Sequence, residues 1–284
     1  MIDTSFLKHL NRLSLIINKK VASDFVGERR SIHSGYGIIF KDHGLYSPGD
    51  DFRKIDWRVF ARTDKLHTKR YEEEKNLVVH ILVDSSASMN FGSGKIKKFE
   101  YAAMLGIGFA YMALKNNERF VLSTFSDQLE PFKPSRGRRQ LVAILDYLKN
   151  KEAGGISRFE EALRNYSKLI RSRSLIVILS DFLYDVEDVK RVIYTFKNHD
   201  IKLIQVLDDL EVGLNIRGEF KFKDLETKGF LKTFVGPFLR KHYLNQLDEH
   251  KRKLNWVASS LGAKFYSIST NTSVYDAFYE ILRD

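Results

Sequence analysis

Apolar and polar positions alternate in blocks from residue 77 to the end of the chain. Short, mostly apolar runs predict strands over residues 77–84, 119–127, 174–181, 201–208 and 263–269. Apolar residues at helical spacing predict helices over residues 99–115, 138–150, 157–172, 186–199, 238–260 and 274–284. Buried strands that alternate with helices are typical of a parallel sheet covered on both faces. We therefore expect an α/β fold with a doubly wound, mostly parallel sheet.

Three segments depart from this alternation. Residues 1–20 have amphipathic helical spacing, which favours a helix that packs on the core over a signal peptide. Residues 21–76 are rich in glycine, charge and aromatic residues and predict short strands and turns. Residues 211–235 predict an inserted antiparallel hairpin. The expected organisation is an N-terminal segment, 1–76, packed on an α/β domain, 77–284.

The composition excludes several classes of function. The chain has no cysteine, so it has no disulfides, no cysteine-ligated zinc or iron–sulfur cluster, and no thiol catalysis. No apolar run approaches the roughly 20 residues that a membrane helix needs. The formal net charge is +11, but the basic residues are mostly interleaved with acidic ones. We therefore interpret the charge as a solvated basic surface, and nucleic acid is an unlikely partner.

Polar oxygens follow two of the apolar strands. Asp84 ends the strand at 77–84 and is followed by Ser86 and Ser88, while Asp181 ends the strand at 174–181. If these strands are central neighbours, their carboxyl ends meet at one crevice, together with Ser157 after a Gly-Gly turn. Carboxylate and hydroxyl oxygens without histidine or cysteine suit Mg²⁺ or Mn²⁺, and Ca²⁺ also accepts them. The alternative is that these residues only form turns and helix caps.

The same residues resemble a known metal site. Asp84-x-Ser86-x-Ser88, then Ser157 after Gly-Gly, then Asp181 at a strand end, resemble the metal-ion-dependent adhesion site of von Willebrand factor A domains. The family usually has threonine where this chain has Ser157. The resemblance implies a von Willebrand A-type fold and a divalent ion with an open coordination position for a partner's carboxylate.

Upstream residues narrow the resemblance to the DUF58 family. They are Gly35-x-Gly37, residues 46–57 (YSPGDDFRKIDW), Ala61-Arg62 and Glu74, with residues 224–227 (DLET) in the expected hairpin. The resemblance runs from about residue 25 to the end. It implies a cytoplasmic, non-enzymatic adaptor that works with a MoxR-type AAA+ ATPase in the maturation or assembly of an unknown client protein.

The signature segment has two possible roles. Its charged residues and tryptophan could form a binding surface, but we favour an internal network of Asp–Arg ion pairs with tryptophan stacking. The residues concerned are Asp50, Asp51, Arg53, Asp56, Trp57 and Arg62.

The rim of the expected metal site is predicted to contact partners. Gly92, Ser93 and Lys95 lie in the loop after the first metal strand, and Asp185 follows the second.

Two other functions stay open. A metal-dependent hydrolase of phosphate esters would use the ion as a Lewis acid, although the sequence offers no general base beside the site. A nucleic-acid-binding protein would use the basic surface and bind in a strongly salt-dependent way.

Overall fold

The computed structural model describes residues 34–48, 50–72, 77–127, 129, 130, 133, 135–223, 225 and 229–283. Several sequence-based predictions lie outside these residues: the helix at 1–20 and the signature residues Gly49, Glu74, Asp224, Glu226 and Thr227. The chain divides at Leu77 into two compact units, each described by itself below.

The N-terminal unit contains a two-stranded antiparallel sheet. Strand β1 (Ser34–Leu45) pairs with β2 (His67–Glu72), and helix α1 (Trp57–Thr63) lies between them in sequence. The prediction of strands and turns alone was wrong here, because α1 has only two turns, too few for its apolar spacing to stand out. Asp56 caps this helix by accepting hydrogen bonds from Arg58 N at 3.0 Å and Val59 N at 3.4 Å.

The carboxylates of the signature segment hold turns and helix ends. Asp50 accepts from Ser47 N and Asp51 accepts from Arg53 N, both at 3.0 Å. Asp56 pairs with His43 at 3.0 Å and with Lys69 at 3.5 Å. The hydrogen bond from His43, with those from the helix N–H groups, lowers the pKa of Asp56 to about 2.

The expected Asp–Arg network is absent from the described part of this unit. Asp51 binds the main-chain N–H of Arg53, and the salt bridges of Asp56 are with His43 and Lys69. Trp57 is 61% exposed and meets Phe60 edge to face, instead of stacking on a guanidinium. The carboxylates predicted to pair with arginine side chains thus bind main-chain N–H groups, and Asp56 also binds His43 and Lys69.

The second unit is built on a six-stranded sheet. Its chain contains strands β3 (Val78–Asp84), β4 (Arg119–Phe125), β5 (Leu129–Glu130), β6 (Ser174–Ser180), β7 (Asp200–Leu207), β8 (Gly218–Lys223), β9 (Phe230–Val235) and β10 (Lys264–Ser269). The sheet order is β10-β7-β6-β3-β4-β5, and β8 pairs only with β9. All neighbours in the sheet are parallel except β4 and the short edge strand β5. The predicted mostly parallel sheet is confirmed.

Helices cover both faces of this sheet. They are α2 (Lys98–Lys115), α3 (Arg138–Asn150), α4 (Phe159–Ser167), α5 (Val186–Thr195), α6 (Asp209–Gly213), α7 (Pro237–Ser260) and α8 (Val274–Arg283). On one face, Gly106 of α2 lies against Ile81 and Leu122. On the other face, Leu82 belongs to a buried cluster with residues of α4, α5 and α7. Alternate residues of β3 therefore point into two separate cores.

The hairpin is shorter than the sequence predicted. The segment expected at 211–235 begins with the end of α6, and only β8 and β9 form the hairpin. Both α6 and β5 were missed, because elements of five and two residues carry no recognisable period. Within the described ranges, no helix has the length and apolar content to cross a bilayer.

Candidate functional site

The candidate site lies where the strand order of the sheet reverses. The chain runs from β3 outward to β4 and β5, then returns to β6 on the other side of β3. Ligands of open α/β sheets bind at this point, beyond the carboxyl ends of the strands. Asp84 is the last residue of β3 and Asp181 follows β6, so the predicted neighbouring of these two strands is confirmed.

Asp84 is a fully buried carboxylate, and its donors among the described residues are all neutral. Its Oδ1 accepts from Ser86 N at 2.8 Å, and its Oδ2 accepts from Ser180 Oγ at 2.7 Å and from the Tyr184 hydroxyl. Burial, with the nearby Asp181 carboxylate, raises the pKa of Asp84 to about 6. Among the described residues, Asp84 has no salt-bridge partner. Such a group is unusual, because buried charges are normally paired or coordinate metals.

The serine loop carries two adjacent hydroxyls. Ser86 Oγ and Ser88 Oγ lie 3.1 Å apart, with Ser86 fully buried and Ser88 half-buried. Asp84 closes a turn through Ser86 N, as the turn interpretation predicts. However, the Ser86 hydroxyl makes no capping bond to the 3-10 turn that follows. Turn formation therefore accounts for an aspartate at position 84 but does not account for the hydroxyl groups at positions 86 and 88.

The Gly154-Gly155 turn packs directly on the serine loop. Ala87 N donates to Gly155 O at 3.0 Å, and Gly154 N donates to Ser85 O at 2.8 Å. Gly155 has a φ of +84°, and an added Cβ would lie 3.1 Å from Asp127 Oδ1. Glycine suits this position on both counts. The turn brings Ser157 towards Asp84 from 73 positions further along the chain.

Ser157 does not cap the following helix. Helix α4 begins at Phe159, with Arg158 at its N-cap and no side-chain capping bond. The Ser157 hydroxyl instead lies 2.6 Å from the Tyr184 hydroxyl. The predicted capping alternative is therefore wrong for this serine, because its hydroxyl is turned towards the candidate site.

Tyr184 joins two of the predicted ligands and was missed from the sequence. Its hydroxyl bonds to both Asp84 Oδ2 and Ser157 Oγ, and its ring stacks on Phe159 with centroids 4.4 Å apart. Burial and the two aspartates raise its pKa well above the usual value, so it stays neutral. Its position three residues after Asp181 was the available signal, but aromatic residues are common near strand ends.

Asp181 is held by a buried lysine. Lys98 Nζ lies 2.9 Å from Asp181 Oδ2 and 2.7 Å from Glu211 Oε1, and the lysine side chain is 1% exposed. Burial opposes the lysine charge, but the two carboxylates raise the pKa of Lys98. This contact could not be predicted from the sequence, since Lys98 stands among other lysines near the start of a helix.

Two of the predicted rim residues, Ser93 and Asp185, make hydrogen bonds within the fold. Ser93 donates through its N–H at 3.0 Å and through its hydroxyl to Asp208, which is buried at the end of β7. Lys95 is exposed, and Gly92 is half-buried in the same loop. Asp185 is exposed and caps α5 by accepting from Glu187 N at 3.0 Å. Ser93 and Asp185 therefore have structural bonds, whatever they contact in a complex.

The donor chemistry around Asp84 fits a hard divalent ion. Asp84, Ser86, Ser88 and Ser157 supply only oxygen atoms, and the described residues contain no group of three or more His, Asp or Glu side chains suited to a metal. An ion here would depend on hydroxyls together with one carboxylate, a donor set compatible with Mg²⁺. Asp181 differs, because Lys98 already neutralises it.

Comparisons with known proteins identify the family of this chain. The family model described as "Protein of unknown function DUF58" matches residues 42–253. The uncharacterized protein Rv1480 of Mycobacterium tuberculosis is 25% identical over 274 residues, covering 95% of this chain and 86% of that protein. The uncharacterized protein YeaD of Bacillus subtilis is 24% identical over 147 residues, covering 51% of this chain and 35% of YeaD.

Two solved structures align with part of this chain at low sequence identity. An aerotolerance-related membrane protein from Bacteroides fragilis aligns with a TM-score of 0.45 and 14% identity, covering 73% of this chain and 98% of the other. The SpRpn10 VWA domain aligns with a TM-score of 0.43 and 16% identity, covering 72% and 94%. The family model covers most of the chain, and the chain therefore belongs to the DUF58 family, with a core built on a mostly parallel α/β sheet.

Proposed function

We propose that this protein is a non-enzymatic interaction module whose site binds partners through a divalent ion. The observation that carries the proposal is Asp84, a buried carboxylate without a cationic partner among the described residues, beside the hydroxyls of Ser86, Ser88 and Ser157. These groups come from two segments, the end of β3 with its following loop and the turn before α4, which meet where the sheet order reverses. A packed core alone gives no reason to bury such a set of oxygens.

Mg²⁺ is the ion that we propose, with Mn²⁺ or Ca²⁺ as substitutes. Asp84, Ser86, Ser88 and Ser157 would hold it, and Asp181 would contribute from the surrounding shell. Magnesium usually keeps several waters in its coordination sphere, so it can exchange one for a partner's carboxylate. The ion would therefore supply a reversible link to an acidic side chain.

The mouth of the site offers apolar contacts as well. Ile156 is 59% exposed and stands next to Ser157, and Leu183 is 51% exposed and stands next to Tyr184. Exposed apolar side chains beside polar groups are common in protein interfaces. The resemblance to DUF58 proteins suggests a MoxR-type AAA+ ATPase as the partner and an unidentified client protein as the target.

Affinity capture from the cytosol of the source organism tests this proposal. The bait is the intact protein, with Asp84→Asn as the test variant and Asp209→Asn as a matched control that changes an exposed aspartate at the same sheet edge. Each capture is run with a non-hydrolysable ATP analogue in Mg²⁺ and again in excess chelator. We expect an AAA+ ATPase with the intact protein and with Asp209→Asn, and only in Mg²⁺.

Two results would contradict the proposal. Equal capture of the ATPase by folded Asp84→Asn would show that the site does not mediate the contact. Divalent-dependent hydrolysis of p-nitrophenyl phosphate by the intact protein, lost in Asp84→Asn, would show an enzyme instead of a binding module.

A further inference from the structure

The two aspartates of the site are neutralised in different ways. Asp181 is 1% exposed and lies 2.9 Å from the Lys98 ammonium. Asp84 is completely buried, and within the described ranges its hydrogen bonds come from one N–H group and two hydroxyls. One aspartate therefore has a cation built into the fold, and the other has none among the described residues.

Lys98 is fixed in this position by a second carboxylate. Its Nζ also lies 2.7 Å from Glu211 Oε1, and its side chain is 1% exposed. Glu211 is itself held, since its Oε2 accepts from Asp208 N at 2.8 Å at the start of α6. The ammonium is thus held between the ends of β6 and β7. Its removal would leave Asp181 and Glu211 without a cationic partner, which is costly for buried charges.

From this arrangement we infer that Lys98 takes the place of a metal ion at Asp181. The divalent ion is then held by Asp84 and the hydroxyls, and the charge of Lys98 limits the affinity of the site for that ion. The inference rests on the ion of the proposed function. A fixed positive charge beside the site repels a second cation, and its hydrogen bond occupies an oxygen of Asp181. Lys98 thereby keeps the ion exchangeable.

Direct measurement of Mn²⁺ binding tests the inference. Chelator-treated protein is titrated with Mn²⁺ by calorimetry and by the paramagnetic resonance signal of the free ion. Asp84→Asn is expected to weaken binding by at least about tenfold, whereas Asp181→Asn is expected to weaken it by less than about threefold. Lys98→Met is expected to tighten binding by about tenfold, because it removes the competing charge.

The adjacent lysine provides a matched control. Lys97 is exposed, and its ammonium binds Asn90 Oδ1 at 2.8 Å. Lys97→Met removes one positive charge that is exposed to solvent, and it is expected to change Mn²⁺ affinity by less than about twofold. If both methionine variants tighten binding equally, net charge explains the effect and the inference fails.

Lys98→Met leaves the buried Asp181 and the partly buried Glu211 without their cation, so its folding is checked by circular dichroism. The double variant Lys98→Met/Glu211→Gln removes one of these carboxylates and is the replacement if the single variant does not fold. It is expected to bind Mn²⁺ more tightly than the intact protein. Unchanged or weaker binding by the folded double variant would overturn the inference.

The results also separate this inference from the proposed function. Equal loss of Mn²⁺ binding in Asp84→Asn and Asp181→Asn would make Asp181 a direct ligand and would overturn the inference while keeping the ion site. Absence of Mn²⁺ binding in the intact protein and all variants would overturn the ion of the proposed function, and the inference with it.

Discussion

Asp84 and Asp181 are both buried, but their hydrogen bonds give them different chemistry. Asp181 is one member of an ion-paired cluster with Lys98 and Glu211. Asp84 depends on hydroxyls, and the Tyr184 hydroxyl connects it to Ser157. Removing one partner of a buried polar group costs more than an average hydrogen bond contributes, because the other partner loses its solvation without compensation.

Tyr184→Phe is expected to lower the free energy of unfolding by about 1–2 kcal/mol in ion-free protein. The change removes one donor to the buried Asp84 carboxylate and keeps the ring that stacks on Phe159. Urea unfolding at pH 7 measures the effect. Tyr194→Phe is the control, since Tyr194 is 59% exposed and is expected to change stability by less than about 0.5 kcal/mol. Equal stability of the two variants would contradict a stabilising role for the Tyr184 hydroxyl.

His80 gives the fold a pH dependence that is separate from the site. This histidine is buried in β3 with its Nδ1 2.8 Å from the Tyr166 hydroxyl, and burial, with the nearby His199, lowers its pKa to about 4. The unfolded chain takes up the proton near pH 6.5, the unperturbed value for histidine. The contribution of neutral His80 is therefore present above about pH 6.5 and is lost as the pH falls towards 4.

Between pH 7 and pH 5, the intact protein is expected to lose about 2 kcal/mol more stability than His80→Asn. Asparagine can still bond to the Tyr166 hydroxyl but does not titrate in this range. Urea unfolding curves of both proteins at the two pH values provide the comparison. Parallel losses would show that His80 is already protonated in the folded state or accessible to solvent.

Helix α2 combines a buried position with small residues at its contacts. An added Cβ at Gly106 would lie 3.0 Å from Leu122 Cδ1, and one at Gly108 would lie 2.6 Å from Phe278 Cε2. The first glycine permits close approach to the sheet, and the second accommodates a ring of α8. The helix lies beside the site through Lys98 at its first residue, so its packing also fixes the position of the ammonium.

Gly108→Ala is expected to destabilise the protein by about 1–3 kcal/mol, although alanine is the better helix former. Phe278 is fully buried and has little room to withdraw from the new methyl group. Thermal unfolding measures the change, with Gly94→Ala as the control because an added Cβ there meets no atom within 4 Å. Adding Phe278→Leu to Gly108→Ala should recover part of the loss, and strict additivity of the two changes would contradict the proposed clash.

At the scale of the whole molecule, the site exists only in the folded chain. Asp84, Ser157 and Tyr184 come from separate connections of the sheet, and Tyr184 lies 100 positions after Asp84. A ligand that binds only this assembled state stabilises the fold by mass action. Binding of the proposed ion is therefore expected to raise the free energy of unfolding.

Mg²⁺ at about 100 times its dissociation constant is expected to stabilise the intact protein by about 2.7 kcal/mol. Asp84→Asn is expected to gain little, because the central carboxylate is missing. Calorimetric scans with Mg²⁺ and with chelator measure both proteins. An equal rise in melting temperature for the two would indicate nonspecific ion binding elsewhere on the surface.

The sequence by itself determined the fold class and the ends of the main strands. Runs such as residues 77–84 and 174–181 are mostly apolar, and their sharp ends at Asp84 and Asp181 mark where the backbone leaves the sheet. These features are local, since periodicity and turn chemistry act over a few residues. The short helix α1 and the edge strand β5 were not predicted, because neither is long enough to show a period.

Only the tertiary structure decided what surrounds each oxygen. Lys98 reaches Asp181 across 83 positions, and Tyr184 reaches Asp84 across 100, after the strand order has placed β6 beside β3. No spacing in the sequence encodes these contacts, because they depend on which strands pair and in what register. The sequence named the candidate ligands, and the packing of the loops decided that one aspartate is paired with a lysine and the other is not.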